Sequence, residues 1–393
     1  MTHTLSRRTA LTAGLAAVVA AAVGGCGAPD PAEPRSGGAE PGADFDAATV
    51  QTLDRLMGAK IGDAAAPGGV LGVWVGGRGA LRKGYGVADL GTGEPMTPDH
   101  GFRIASITKT FAAGALILLA ERGGLTLDDT LARYVPAVAN ADRITLRQLL
   151  DMTAGVFNFT ADEQFLAGFD RDPTAPFGVD RVLEVLGRHQ PSFAPGEPGR
   201  WEYSDTNYVL LDPVIRSVSG ASPGDFIEQD VAKPLGLART SYPTSPDLPS
   251  GCARGYTDGV EGGPPRDISA VNPDVPGPAG AMVSTVDDLW TWVGALADGS
   301  LYRDGGSKAA QQAFVPAIRS GPVPVDYGLG MMRINGMVGH NGAIYGFNSA
   351  VLRHPASDAT FVVALNKSTN DESTALEVAL DAAKVLFPDG FGG

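Results

Sequence analysis

The chain has 393 residues, 44% of them apolar and 7% aromatic, enough to bury a large core and too apolar for a disordered protein. Its formal net charge is −14, all of its acids lie beyond Cys26, and no basic cluster interrupts them, which excludes nucleic acid as a partner. With Cys26 and Cys252 as the only cysteines, the folded part has no disulfide framework and must rely on its core.

At the amino end, Arg7 and Arg8 precede an uncharged run from Ala10 to Val23, too short to span a bilayer but suited to the apolar part of an export signal. The run ends in Val23-Gly24-Gly25-Cys26, which resembles the bacterial lipoprotein processing box, while Ser6-Arg7-Arg8-Thr9-Ala10-Leu11 resembles a twin-arginine signal. Residues 1–26 are therefore expected to be a lipoprotein-type signal peptide. Lipidated Cys26 would hold the protein at the outer face of the cytoplasmic membrane, with plain secretion as the alternative. Residues 27–45, rich in Pro, Gly, Glu and Asp, are expected to form a flexible linker, and residues 46–393 the folded domain.

Within that domain a first helix is expected over Phe45–Ile61, with Val50, Leu53, Leu56 and Met57 on one face. Strands follow over Gly69–Val75 and Ala80–Val87, joined by the hairpin signal Gly76-Gly77-Arg78-Gly79. Ser106 opens an apolar helix that runs through Phe111, Leu116, Ile117 and Leu119 to Gly123-Gly124. Thr145 can cap a short helix through Leu146, Leu149 and Leu150. From there to about residue 300 the pattern is helical patches and long loops, with a Pro- and Gly-rich surface excursion or lid over Pro243–Gly280. Strands return over Tyr327–Asn335 and Met337–His340, flanking the Asn335-Gly336 turn, then over Phe347–Arg353 and Thr360–Leu365. Glu372–Phe387 closes the chain as an amphipathic helix. Strands at both ends with helices between imply an α+β fold, one antiparallel sheet built from both ends of the chain with a mostly helical insert in the middle.

The chemistry centres on Ser106-Ile107-Thr108-Lys109, which sets a hydroxyl and an amine three residues apart on one helix face. A desolvated lysine can take the proton of a serine, and the first turn's unpaired N–H groups favour negative charge on its oxygen. The bland alternative is a helix-capping serine. Two further clusters argue against it. Trp201-Glu202-Tyr203-Ser204-Asp205 supplies a phenol able to relay a proton. Gly339-His340-Asn341-Gly342-Ala343 supplies a strand on which His340 can look into a cleft. An edge N–H there, with that of Ser106, would make an oxyanion hole. His100, His189 and His354 have no evident partners, and no H-E-x-x-H or Cys/His cluster occurs, so neither metal nor cofactor is expected.

In order and spacing these motifs resemble those of the penicillin-recognising serine hydrolases, above all the actinomycete D-alanyl-D-alanine carboxypeptidases, with class C β-lactamases and β-lactamase-fold esterases as relations. Leu149-Leu150-Asp151-Met152-Thr153-Ala154-Gly155, Pro278–Thr285 and Tyr327-Gly328-Leu329-Gly330 agree with the resemblance, which covers about residues 46–388. It implies a two-part fold, an antiparallel sheet flanked by helices beside an all-helical region, with the site between them. It makes Ser106 the acylated nucleophile, Lys109 its base partner and Tyr203 the relay, and sets His340 where many relatives carry lysine. The oxyanion hole falls to the N–H groups of Ser106 and Ala343.

Three departures bear on the substrate. Asp205 replaces the usual asparagine, and Asn341 and Ala343, either side of Gly342, stand where hydroxyl residues commonly hold a terminal carboxylate. Arg333 is the remaining candidate to grip that carboxylate. The leading expectation is an exported monomer acting through an acyl-enzyme on D-alanyl-D-alanine stem peptides of the cell wall. The alternatives are an esterase, amidase or β-lactamase with the same mechanism, and a non-catalytic surface protein that senses wall peptide or penicillin.

Overall fold

The computed structural model describes residues 45–62, 65–259, 263–320, 323–368 and 373–391. The expected signal peptide, Cys26 and the linker up to residue 44 lie outside them, as does Glu372. Phe45, assigned to the linker by composition, instead packs into the core at 8% exposure.

Among the described residues, thirteen strands follow in chain order. β1 (Gly68–Val75), β2 (Gly79–Asp89), β3 (Glu94–Pro95) and β4 (Phe102–Arg103) come early. β5 (Tyr256–Thr257), β6 (Arg266–Asp267) and β7 (Val283–Ser284) are short middle strands. β8 (Val315–Ile318), β9 (Val325–Tyr327), β10 (Met332–Ile334), β11 (Met337–Ile344), β12 (Phe347–His354) and β13 (Ala359–Leu365) complete the set. Nine of them make one antiparallel sheet in the order β3-β2-β1-β13-β12-β11-β10-β9-β8, so the two ends of the chain meet at its centre.

α1 (Ala47–Gly58) starts where the Asp46 carboxylate accepts from the N–H groups of Ala48 and Thr49. It packs with α11 (Thr374–Leu386) over one face of the sheet, and the Lys60–Glu377 ion pair ties the two together. α9 (Val286–Asp298) covers the other face, where the rings of Trp290 and Trp74 stack with centroids 5.5 Å apart. With both faces covered, β1 and β13 are buried at every position, which is why they read as continuous apolar runs.

α2 (Thr108–Glu121) is buried from Thr108 to Leu119, as an all-round apolar helix must be. Phe111 stacks on Trp292 of α9, and the Trp292 indole donates to the Thr110 hydroxyl at 2.7 Å. On its far side lies the helical region: α3 (Leu146–Leu150), α4 (Glu163–Arg171), α5 (Val179–Leu186), α6 (Asp205–Val209), α7 (Leu211–Ser219) and α8 (Pro223–Phe226). Thr145 and Gln148 form the capping box of α3. α10 (Gly305–Gln311) leads back to the sheet.

The single strand expected over Tyr327–Asn335 is two strands broken by Gly328–Met331. In the break the Leu329 N–H donates to the Gln311 carbonyl and the Gly330 N–H to the Leu150 carbonyl, out of the ladder. A Cβ on Gly330 would lie 2.5 Å from that of Ala113 and 2.8 Å from the Lys109 carbonyl oxygen. The glycine lets this corner press against α2 at the lysine's own turn.

Candidate active site

Ser106 sits in a 3₁₀ turn, Ala105–Ile107, that feeds into α2 rather than in the α-helix itself. The turn is clamped from two sides. The Ile104 N–H donates to the Met282 carbonyl at 3.0 Å, and the Ser349 hydroxyl of β12 donates to the Ile104 carbonyl at 3.1 Å. Ala105 is held in the left-handed region at φ 49° while fully buried, a conformation that costs about 1–3 kcal/mol and persists only under such constraint. Gly342 permits the contact with β11, for a Cβ there would lie 2.4 Å from the Ile104 carbonyl oxygen and 2.9 Å from the Ala105 Cβ.

Lys109 has no exposed surface, and its ammonium finds one acceptor for each of its three protons. Nζ donates to Ser106 Oγ at 3.0 Å, to Asp205 Oδ1 at 2.6 Å and to the Ala279 carbonyl at 2.8 Å. Burial pushes the lysine's pKa down, and the Asp205 carboxylate opposes that shift. The Tyr203 ring lies beside the same ammonium, with its centroid 4.9 Å from Nζ. The segment carrying Tyr203 and Asp205 is fastened to the loop after α3. The Trp201 indole donates to the Asp151 carbonyl at 3.0 Å, and the Asp205 N–H donates to Asn158 Oδ1 at 3.1 Å.

β11 pairs with β10 only from Met337 to Gly339, so from His340 onward its edge on that side is uncovered. Asn341, Gly342, Ala343 and Ile344 of this edge line a cleft of about 670 Å³, together with Ser106, Tyr203 and Asp205. Ser106 and Ala343 thus border the same space.

His340 departs from expectation. Its side chain is fully buried and does not line the cleft, although its ring centroid lies 6.2 Å from that of Tyr203. A carbonyl only accepts, so Nδ1 must carry the proton in its bond to the Asn341 carbonyl. Nε2 then accepts from the Tyr327 hydroxyl at 2.9 Å. Burial and the nearby Lys109 charge push the imidazole down to about 3, so it is neutral. The structure therefore provides no cation where many relatives carry lysine.

Arg333 also departs. On β10 its neighbours Met332 and Ile334 face the core, so alternation turns Arg333 outward. There it donates to Asp326 at 2.7 Å and lies over the Phe314 ring, away from the cleft.

Other cleft residues gave little sign of themselves in the sequence. Phe165 and Phe169, four apart on α4, form an apolar wall with Val275 and Pro276, and Thr160, Ala279 and Gly280 complete that side. The Phe spacing was the available signal. His189, which lacked an evident partner, donates from Nε2 to Asp162 Oδ2 at 2.8 Å. Asp162 is also the N-cap of α4, accepting from the Phe165 N–H at 2.7 Å, so this pair anchors the wall.

The beta-lactamase family model matches residues 52–385 of the chain. The chain belongs to that family. It is a serine hydrolase of the beta-lactamase and penicillin-binding-protein superfamily. Among solved structures it is similar to a D-stereospecific amidohydrolase from Streptomyces sp., with 30% identity, a TM-score of 0.75 and coverage of 85% of this chain and 98% of that one. It is also similar to the D-amino acid amidase from Ochrobactrum anthropi SV3, with 26% identity, a TM-score of 0.74 and coverage of 86% and 98%. Penicillin-binding protein 4* of Bacillus subtilis (strain 168) is 29% identical over 326 residues, which span 77% of this chain and 68% of that protein.

Proposed function

We propose that the protein hydrolyses amides or esters whose leaving side carries no carboxylate, through an acyl-enzyme on Ser106. The observation that carries this reading is the charge of the cleft. Among the described residues that line it there is no Lys, Arg or His, and the arginine that sequence offered for carboxylate binding is engaged by Asp326. A carboxypeptidase substrate would have to bury its terminal carboxylate there without a cation, at several kcal/mol.

The chemistry follows from the contacts. In its neutral form, which burial favours, Lys109 no longer donates to Ser106 Oγ and instead accepts that hydroxyl's proton along their 3.0 Å contact as Oγ attacks the substrate carbonyl. The N–H groups of Ser106 and Ala343 hold the negative oxygen of the tetrahedral intermediate. Tyr203 gives a proton to the leaving amine or alkoxide, whose bond to the carbonyl carbon breaks, and regains one from Lys109, which returns to its neutral form. Water then repeats the attack, and Ser106 regains its proton. Asp205 tunes Lys109, while Asn341 and Gly342 form the floor along which substrate lies.

The Streptomyces and Ochrobactrum relatives are, by name, a D-stereospecific amidohydrolase and a D-amino acid amidase, which makes D-configured amides the first substrates to try. Similarity to penicillin-binding protein 4* supports the rival reading, carboxypeptidase action on D-alanyl-D-alanine stem peptides. The Ser106–Lys109 hydrogen bond supports catalysis over a non-catalytic sensor of wall peptide or penicillin. Export and lipidation at Cys26, placing the protein outside the cytoplasmic membrane, complete the proposal.

The test compares purified protein on a D-aminoacyl p-nitroanilide and on a D-Ala-D-Ala tripeptide, with fluorophosphonate labelling mapped by mass spectrometry. Turnover of the anilide, with the label on Ser106, supports the reading. Turnover of the peptide alone replaces it with the carboxypeptidase, and labelling that survives Ser106→Ala removes the nucleophile.

A further inference from the structure

The acyl side of the cleft carries acceptors that the mechanism above leaves unused. Asp205 has two carboxylate oxygens, and Oδ1 is engaged by Lys109. No described donor reaches Oδ2, and the Asp205 side chain keeps 18% of its surface exposed to the cleft that it lines. Asn341 lines the same cleft at 4% exposure, and its Oδ1 is sealed from solvent with no hydrogen-bond donor. Buried acceptors without a donor are rare in folded proteins, and each calls for a partner.

Asp205 lies close to the reacting centre, and Asn341 lines the same cleft. Asp205 Oδ1 and Ser106 Oγ accept from the same Lys109 nitrogen, so no more than two hydrogen-bond lengths separate them. The α-amino nitrogen of an aminoacyl group is two bonds from the carbonyl carbon that Ser106 attacks, within the same reach. An asparagine at 205 would offer N–H donors to an acyl-group carbonyl. An ionised carboxylate only accepts, and so calls for a donor-rich, positive partner. The chain's net charge of −14 draws cations toward the protein as a whole.

We propose that Asp205 Oδ2, with Asn341 Oδ1, binds the free ammonium group of an aminoacyl substrate and thereby selects amines over N-acylated compounds. This rests on the hydrolase reading above and adds what that reading leaves open, the chemistry of the acyl side. Two of the amine's three protons can meet the two vacant acceptors, whereas an N-acetyl group brings one N–H and a carbonyl that would face the carboxylate.

The experiment pairs D-phenylalanine p-nitroanilide with its N-acetyl derivative, which differ only at the amine. Wild type should prefer the free amine about 10- to 150-fold in kcat/KM, the range of one charge-assisted contact. Asp205→Asn should bring that ratio close to one, and Asn341→Ala should lower it part-way. Fluorophosphonate labelling of each variant confirms that Ser106 is still assembled. Equal rates for the two anilides in the wild type, or a ratio that Asp205→Asn leaves intact, overturns the assignment while the hydrolase reading stands. If neither anilide is cleaved, protection of Ser106 from labelling by D-phenylalaninamide and by N-acetyl-D-phenylalaninamide reads the same preference. Preferential protection by the amine without turnover would keep the ammonium site and discard the amide substrate; equal protection would discard the site.

Discussion

Gly342→Ala tests whether the cleft depends on the close approach of β11 to the Ser106 turn. The added Cβ would sit 2.4 Å from the Ile104 carbonyl oxygen and 2.9 Å from both the Ala105 Cβ and the Ser349 Oγ. Non-bonded atoms need about 3.4 Å, so strand and turn must separate by about 1 Å. The turn cannot yield freely, being held by Met282 and Ser349 on either side. Overpacking of this size costs typically about 1–3 kcal/mol of stability. Its effect on rate is larger, because a shift of about 1 Å between a nucleophile and the groups that receive the oxyanion can cost about 100-fold. Gly280→Ala provides a graded comparison, since its Cβ meets only the Pro276 Cβ at 3.0 Å and the Ala105 backbone at 3.6 Å or beyond. Anilide hydrolysis and the rate of fluorophosphonate labelling should both fall about 100-fold in Gly342→Ala and less in Gly280→Ala, with Tm lowered by only a few degrees. A Gly342→Ala protein within about threefold of wild type on both assays would refute the argument.

Three further outcomes are expected. Asp205→Asn removes the charge that opposes desolvation of Lys109, so the lysine's pKa falls and the ascending limb of the kcat pH profile moves to lower pH; an unmoved limb would mean that the two residues are not coupled. Arg333→Ala should leave kcat/KM within about twofold on peptide and anilide alike, because an exposed pair with Asp326 contributes at most about 1 kcal/mol to stability and nothing to the cleft. A tenfold loss confined to the peptide would reinstate the arginine as a carboxylate anchor. Cys26→Ala should release the protein from membrane fractions, and unchanged membrane association would rule out lipid anchoring.

What the sequence made legible was mostly what is local. Ser106 and Lys109 are three residues apart, and helical geometry alone brings them together, so the hydrogen bond between them follows from spacing. The Asn335-Gly336 hairpin and the Thr145 capping box are equally self-contained. Direction on a strand is not, because it depends on which face the rest of the chain covers. His340 and Arg333 were both on strands as read, yet one faces inward to Tyr327 and the other outward to Asp326. The break at Gly328–Met331 was hidden for the same reason, since its hydrogen bonds run to Gln311 and Leu150. Phe165 and Phe169 look like ordinary core residues until α4 is placed against Pro276 from the Pro-rich excursion.

The pairing of β1 with β13 also has a bearing on how the molecule forms. Gly69 lies opposite Leu365, and Val75 opposite Ala359, so the central ladder joins segments from opposite ends of the chain. The hairpin of β1 and β2 can close early, but its other edge has no partner until the last strands are synthesised. Such distant closure slows folding, and it leaves a long apolar edge open to self-association in the meantime. The helical region is built from nearby residues and can take shape first, as a platform on which the sheet later closes. A chain truncated before Ala359 would therefore lose its central ladder rather than a peripheral strand, and should fail to fold even with Ser106, Lys109 and Tyr203 all present.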